Sequence, residues 1–140
     1  MDLINQIRQI NFLVVDDYES MRMLVQEELE ALDITNINFA TSGNHAFETI
    51  TKLSGTSSEI HFVITDMMMD NGTGIELTQN LRSSDKFKNL PILMISSMSE
   101  ASFILSCIKA GIDDYIVKPW ESDDLIKKLN QISQKRLKFK

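Results

Sequence analysis

Phe12-Leu13-Val14-Val15-Asp16-Asp17 is an unbroken apolar run that stops on two acids. Continuous Val/Leu/Phe runs fit a strand buried on both faces, as in a parallel sheet, rather than the in–out alternation of a half-exposed strand. Similar runs recur at Ile37 to Ala40 (the weakest), Ile60 to Thr65, Pro91 to Ile95 and Tyr115 to Val117. Amphipathic stretches separate them. Met21, Leu24, Val25, Leu29 and Leu32 keep helical spacing, as do Ala46, Phe47, Ile50 and Leu53 over a shorter span. Ile75, Leu77 and Leu81 mark a third helix, opened by Thr73 and Glu76 in capping-box spacing. A fourth is expected from about Ser99 to Ala110, with Ser97 and Glu100 as a second box and Gly111 as its C-cap. A fifth begins near Ser122 and carries Leu125, Ile126, Leu129 and Ile132. Five alternating units of this kind predict an α/β fold: a doubly wound parallel sheet with helices on both faces and right-handed crossovers. Leu3, Ile4, Ile7 and Ile10 read as a short amphipathic lead-in.

Composition narrows the function. The 140 residues suit one domain, 43% are apolar and 24% charged, so a core can be buried and wholesale disorder is not expected. Fourteen basic against twenty acidic side chains give a net charge of −6, a poor basis for binding a nucleic-acid backbone. The single cysteine, Cys107, excludes an internal disulfide and a Cys-rich zinc site and reads as a small buried hydrophobe. His45 and His61 form no HExxH pattern and read as solvated or capping. No apolar run approaches the roughly 18 residues of a membrane span, and the polar N-terminus is no signal peptide. A cytoplasmic protein with neither nucleic-acid nor membrane partners is expected.

In open α/β sheets ligands bind beyond the carboxyl ends of the strands. Here strand one ends in Asp16-Asp17, strand three in Asp66, strand four in Ser96-Ser97 and strand five in Lys118-Pro119. Any one of these is ordinary loop polarity; all of them at one edge form a site. Two carboxylates about 4 Å apart repel by roughly 4 kcal/mol at an effective dielectric near 20. Lys118 cannot neutralise three. An all-oxygen donor set suits a hard divalent cation, and Mg²⁺ accepts a few carboxylates together with water and phosphate oxygens. Asp66 is then a candidate nucleophile toward a phosphoryl group, with Lys118 and Mg²⁺ holding the phosphoryl oxygens.

From residue 10 to about 135 the chain resembles the receiver domain of two-component response regulators. The resemblance is carried by Phe12 to Arg22 (FLVVDDYESMR), Thr65 to Gly74 (TDMMMDNGTG) and Asp114 to Trp120 (DYIVKPW). It implies a flavodoxin-like (βα)5 fold, five strands flanked by five helices, in one receiver domain spanning 1–140. It implies Asp66 as phosphoacceptor, Asp17 as a direct Mg²⁺ ligand, Asp16 acting through metal-bound water, and the Met68 carbonyl as a further ligand. Lys118 would pair with a phosphoryl oxygen, Pro119 would follow a cis peptide bond, and Ser96 would bond the phosphoryl group and shift toward it. Tyr115 matches an aromatic switch whose ring turns inward when Ser96 moves. That would remodel the surface of the fourth helix, fifth strand and fifth helix. A histidine kinase would supply the phosphoryl group, and a separate effector, a flagellar motor switch being one candidate, would read the result. No enzyme activity is implied beyond self-phosphotransfer and auto-dephosphorylation. The first strand resembles stand-alone, chemotaxis-type receivers in particular; a receiver taken from a larger regulator with a DNA-binding or enzymatic output domain is the alternative.

Departures from the family pattern carry expectations of their own. Asp70 stands where many members have proline, which predicts a less restrained loop before Gly72 and Gly74. Met67-Met68-Met69 is rich in soft apolar side chains, and Met68 beside the pocket would hinder an attacking water. On the fourth helix Ala101, Ile104, Leu105 and Ile108 form one apolar arc, extended by Phe103 and Cys107, wider than a core contact requires. Either this helix is more buried than usual, or Ile104 and Ile108 beside Tyr115 form an output face. Trp120 reads as a partly exposed aromatic over the fifth helix. Lys135 to Lys140 reads as a fraying helix end or the start of a linker. A Mg²⁺-dependent aspartyl phosphohydrolase would need a D-x-D signature, and Asp66 is followed by three methionines. A nucleotide or flavin binder would need glycine-rich loops that are missing. A phosphorylation-independent interaction module would have no use for the intact acids, Ser96 and Lys118.

Overall fold

The computed structural model describes residues 2–137. In chain order the elements are α1 (Leu3–Ile7), β1 (Phe12–Val15), α2 (Glu19–Ala31), β2 (Ile37–Ala40), α3 (Gly43–Leu53), β3 (Phe62–Thr65), α4 (Gly74–Arg82), β4 (Ile92–Ser96), α5 (Ala101–Ala110), β5 (Asp114–Val117) and α6 (Ser122–Arg136). The five strands form one sheet in the order β2-β1-β3-β4-β5, and all neighbours are parallel. That order is the flavodoxin-like one; the strand pattern alone does not dictate it.

The side-chain alternation of each strand splits the core into two layers. Leu13, Val15, Val63 and Met94 face a cluster closed by Ala46 and Ile50 of α3, Leu77 and Leu81 of α4 and Cys107 of α5. Phe12, Val14, Phe62, Ile64 and Leu93 face the opposite cluster, closed by Ile7 of α1, Val25 and Leu29 of α2, and Leu125, Leu129 and Ile132 of α6. Phe12 and Phe62 stack across β1 and β3 with ring centroids 5.0 Å apart. The continuous apolar runs are thus explained: β1, β3 and β4 are buried along their whole length. β2 and β5 are the edge strands and are only partly buried, which is why their runs were weaker or shorter.

Several expectations are corrected. Among the described residues there are six helices, the five expected and the lead-in, which forms α1. Asp2 caps it by accepting from the Asn5 N–H at 3.0 Å, and Ile7 is fully buried. The Ser97–Glu100 box does not form; α5 starts after Glu100 with no side-chain cap. Gly111 does close α5, in the left-handed region at φ 116°. The Thr73–Glu76 box on α4 forms in both directions. The end of α6 is pinned, not frayed. Arg136 Nε donates to Asp113 Oδ1 at 2.6 Å, and Lys135 Nζ lies 3.7 Å from the same oxygen. Lys138, Phe139 and Lys140, the rest of that basic end, lie outside the described residues.

Candidate functional site

β1, β3 and β5 end at the same edge of the sheet, and each delivers a charge there. Asp16 and Asp17 follow β1, Asp66 follows β3 and Lys118 follows β5. Asp16, Asp17 and Asp66 each offer a carboxylate oxygen, all within 4.8 Å of one another. Asp16 and Asp66 are buried and Asp17 is exposed. Lys118 Nζ sits between the two buried acids, 3.3 Å from Asp16 Oδ2 and 3.4 Å from Asp66 Oδ2. A single ammonium therefore serves both buried carboxylates, and the cluster keeps an excess of negative charge. Three oxygen donors converging on one edge, with Asp17 facing solvent, form a donor set that fits a hard divalent cation.

Backbone groups fix the acids in place. Met67 N–H donates to Asp66 Oδ1 at 2.7 Å, and Tyr18 N–H to Asp16 Oδ1 at 3.0 Å. Arg22, one turn into α2, donates through Nη1 to the Asp16 carbonyl at 2.7 Å and holds the acid-pair turn. Residue chemistry alone had given Arg22 no role; the only signal was its place at the end of the first matching stretch. The Met68 side chain is exposed just beyond Asp66. Its carbonyl accepts no hydrogen bond from the described residues.

Ser96 ends β4 and is buried; its Oγ accepts from Met98 N–H at 3.3 Å. The Tyr115 hydroxyl donates to the Met98 carbonyl at 2.6 Å, and its half-buried ring packs against the α3–α5 core layer. Burial pushes the Tyr115 phenol up. Ser96, Met98 and Tyr115 are thus joined by two hydrogen bonds through the Met98 backbone. Met98 was not anticipated, since a backbone carbonyl leaves no mark in a sequence. The Lys118–Pro119 peptide is cis, as the resemblance implied.

Beside the pocket, α5 turns apolar side chains to solvent. Leu105 and Ile108 are 53% and 52% exposed, while Cys107 is fully buried and Phe103 packs inward. The wide apolar arc is therefore surface, not extra core; Ile104 lies half-buried at its border. Trp120 is half-buried on the α2–α6 side. It walls a groove of about 470 Å³ with Met21, Leu24 and Lys118. His45 Nδ1 accepts from Thr41 N–H four residues back, a local cap, whereas His61 Nδ1 accepts from Asn11 N–H and ties the segment entering β3 to the one entering β1. The loop after Asp70 is not loose: Gly43 N–H and Asn44 N–H of α3 donate to the carbonyls of Gly72 and Asn71 at 2.9 and 3.1 Å.

A family model described as the response regulator receiver domain matches residues 12–130. The chain belongs to the response regulator receiver family. Chemotaxis protein CheY-3 of Vibrio cholerae serotype O1 is 33% identical over 128 residues, covering 91% of this chain and 95% of that protein. Chemotaxis protein CheY of Pseudomonas aeruginosa is 30% identical over 126 residues, covering 90% and 98%. The solved structure of Vibrio cholerae CheY4 superposes with a TM-score of 0.77 at 25% identity, covering 89% of this chain and 98% of that one. This receiver domain is CheY-like, a signalling module of two-component systems and not an enzyme in the ordinary sense. Receivers of this type work with histidine kinases and downstream effectors, and receivers in general bind Mg²⁺ at an aspartate cluster such as the one formed here. Among the described residues no helix is long and apolar enough to cross a membrane.

Proposed function

We propose that the chain is a phosphorylation-controlled switch that accepts a phosphoryl group from a histidine kinase on Asp66. The observation carrying this reading is the convergence of Asp16, Asp17 and Asp66 within 4.8 Å, with Lys118 bridging the two buried acids. Asp17 and Asp66, with the Met68 carbonyl, would hold Mg²⁺, and Asp16 would act through metal-bound water. The cation would supply charge neutralisation for the incoming phosphoryl oxygens. Asp66 attacks phosphorus, the phosphorus–nitrogen bond of the phosphohistidine breaks, and its electron pair leaves with the imidazole. Met67 N–H fixes the Asp66 rotamer for that attack. Lys118 follows the developing charge by exchanging a carboxylate partner for a phosphoryl oxygen.

Ser96 is the sensor in this reading. A new acceptor on Asp66 draws its hydroxyl, which now accepts from Met98 N–H. Because Tyr115 is tied to the Met98 carbonyl, movement of Ser96 reaches the ring and the exposed Leu105–Ile108 face of α5. The consequence is a shift between two surfaces, read by an effector protein. Ile104, Ile108 and Tyr115 form the output surface, and the whole chain acts as one receiver. A chemotaxis pathway is the preferred setting, given the CheY relatives. Incubation with Mg²⁺ and acetyl phosphate tests the reading. An acid-stable, base-labile adduct on Asp66, absent from Asp66→Asn, supports it. Steady turnover of phosphate esters without an adduct supports the hydrolase. Effector binding that is indifferent to Mg²⁺ and to Asp66→Asn supports a constitutive interaction module.

A further inference from the structure

An α-helix leaves its first four N–H groups without partners inside the helix. In α3 the helical ladder begins with Ala46 N–H on the Ser42 carbonyl at 2.9 Å, which leaves the N–H groups of Gly43, Asn44 and His45; that of His45 is satisfied locally, donating to Ser42 Oγ at 3.0 Å. The other two reach across to the loop between Asp66 and α4. Gly43 N–H donates to the Gly72 carbonyl at 2.9 Å, and Asn44 N–H to the Asn71 carbonyl at 3.1 Å. The acceptor loop is therefore the missing cap of α3, and α3 is the abutment of the loop. Asn71 and Gly72 are both left-handed, with φ 60° and 104°, a pairing that glycine supports at the second position.

The contact is backbone against backbone with no slack. A Cβ added at Gly43 would lie 2.6 Å from the Gly72 oxygen. At the far end of the loop Gly74 N–H returns to the Met67 carbonyl at 2.9 Å, and a Cβ on Gly74 would strike the Asp66 carbonyl. Behind Gly43, Ala46 seats the first turn of α3 in the core. Groups borne on a loop are only as well placed as whatever holds the loop. Here that support comes from the first turn of α3.

The geometry points to the first turn of α3 as the device that sets the acceptor loop, with Gly43 a positioning residue for cation binding and phosphoryl acceptance at Asp66. This rests on the reading of Asp66 given above. Calorimetric Mg²⁺ titration of the full chain, with Asp66 adduct formation alongside, compares wild type, Gly43→Ala and Ile50→Val. Ile50→Val loosens the same helix away from the contact. Folding of each is checked by circular dichroism. Gly43→Ala is expected to raise the Mg²⁺ dissociation constant about ten-fold, the scale of lost outer-shell support, and to slow adduct formation. Ile50→Val is expected to change neither. A folded Gly43→Ala with wild-type affinity, or an equal shift in Ile50→Val, overturns the inference.

Amide hydrogen exchange on the wild type decides the matter if Gly43→Ala does not fold. Adding Mg²⁺ and beryllofluoride, a phosphoryl mimic, should increase protection at Gly43 and Asn44 and leave Leu53 at the other end of α3 unchanged. Unchanged protection at Gly43 and Asn44, or a uniform change along α3, overturns it. Wild type that binds no Mg²⁺ and takes no phosphoryl group defeats the reading of Asp66 itself. Wild type that does both, matched by Gly43→Ala, defeats only the role of α3.

Discussion

Met68 stands 57% exposed, two residues past Asp66. A flexible thioether there excludes water without offering it a hydrogen bond, whereas an amide in its place would orient one toward phosphorus. Met68→Asn is therefore expected to shorten the lifetime of phosphorylated Asp66 several-fold with little change in stability, as followed by phosphate release. Tyr115 gives a pH signature. Burial holds its phenol above the ordinary range. The folded chain thus keeps this proton to higher pH than the unfolded chain. Its contribution is complete below the unfolded phenol value and is lost as pH rises through the folded one. Denaturation followed across alkaline pH should show that loss in wild type and a flatter profile in Tyr115→Phe. At this scale the acids, Ser96 and Lys118 were legible, because each ends an apolar run. Met98 and Gly43 were not, because they act through backbone atoms. Arg22 was visible only as part of a motif.

Elements are joined at the far edge of the sheet by another acid. The Asp113 side chain, just before β5, is fully buried. It accepts from Arg82 Nη2 at 3.2 Å, Arg136 Nε at 2.6 Å and Ile92 N–H at 2.8 Å, tying α4, α6 and β4 together. Arg82 also donates to the carbonyls of Gly111 and Leu90. Burial, the largest influence, lowers the Arg82 guanidinium; Asp113 works against that and Arg136 with it. Asp113→Ala would strand two half-buried cations and is expected to cost about 3–5 kcal/mol in urea unfolding. Nothing in the sequence marked this junction, since its partners lie 21 to 31 residues away. Strands and helices were legible, because each writes its own period into neighbouring residues. Caps were legible only in part. Thr73–Glu76 closes its box, but Glu100 begins α5 without one, so spacing is necessary for a box and does not ensure it.

The molecule as a whole separates its tasks. Its carboxyl edge gathers the acids and Lys118, the opposite edge holds the Asp113 junction, and α5 turns an apolar face outward. Parallel strands make this division possible, since all five deliver their ends to one side. Ile108 is 52% exposed, so Ile108→Ser should alter stability by no more than about 0.5 kcal/mol in urea unfolding, the scale of ordinary surface changes. A larger loss would return this face to the core. Sheet order and the pairing of α3 with the loop between Asp66 and α4 escaped the residue pattern, because both are decided by contacts between distant segments. The shared pocket of Asp16, Asp17 and Asp66 is the claim on which the function stands, and calorimetric titration of Mg²⁺ into wild type, Asp17→Asn and Asp66→Asn tests it most directly. The expected result is one saturable site per chain, weakened in both variants. Absence of saturable binding in wild type, or full affinity in both variants, would contradict it.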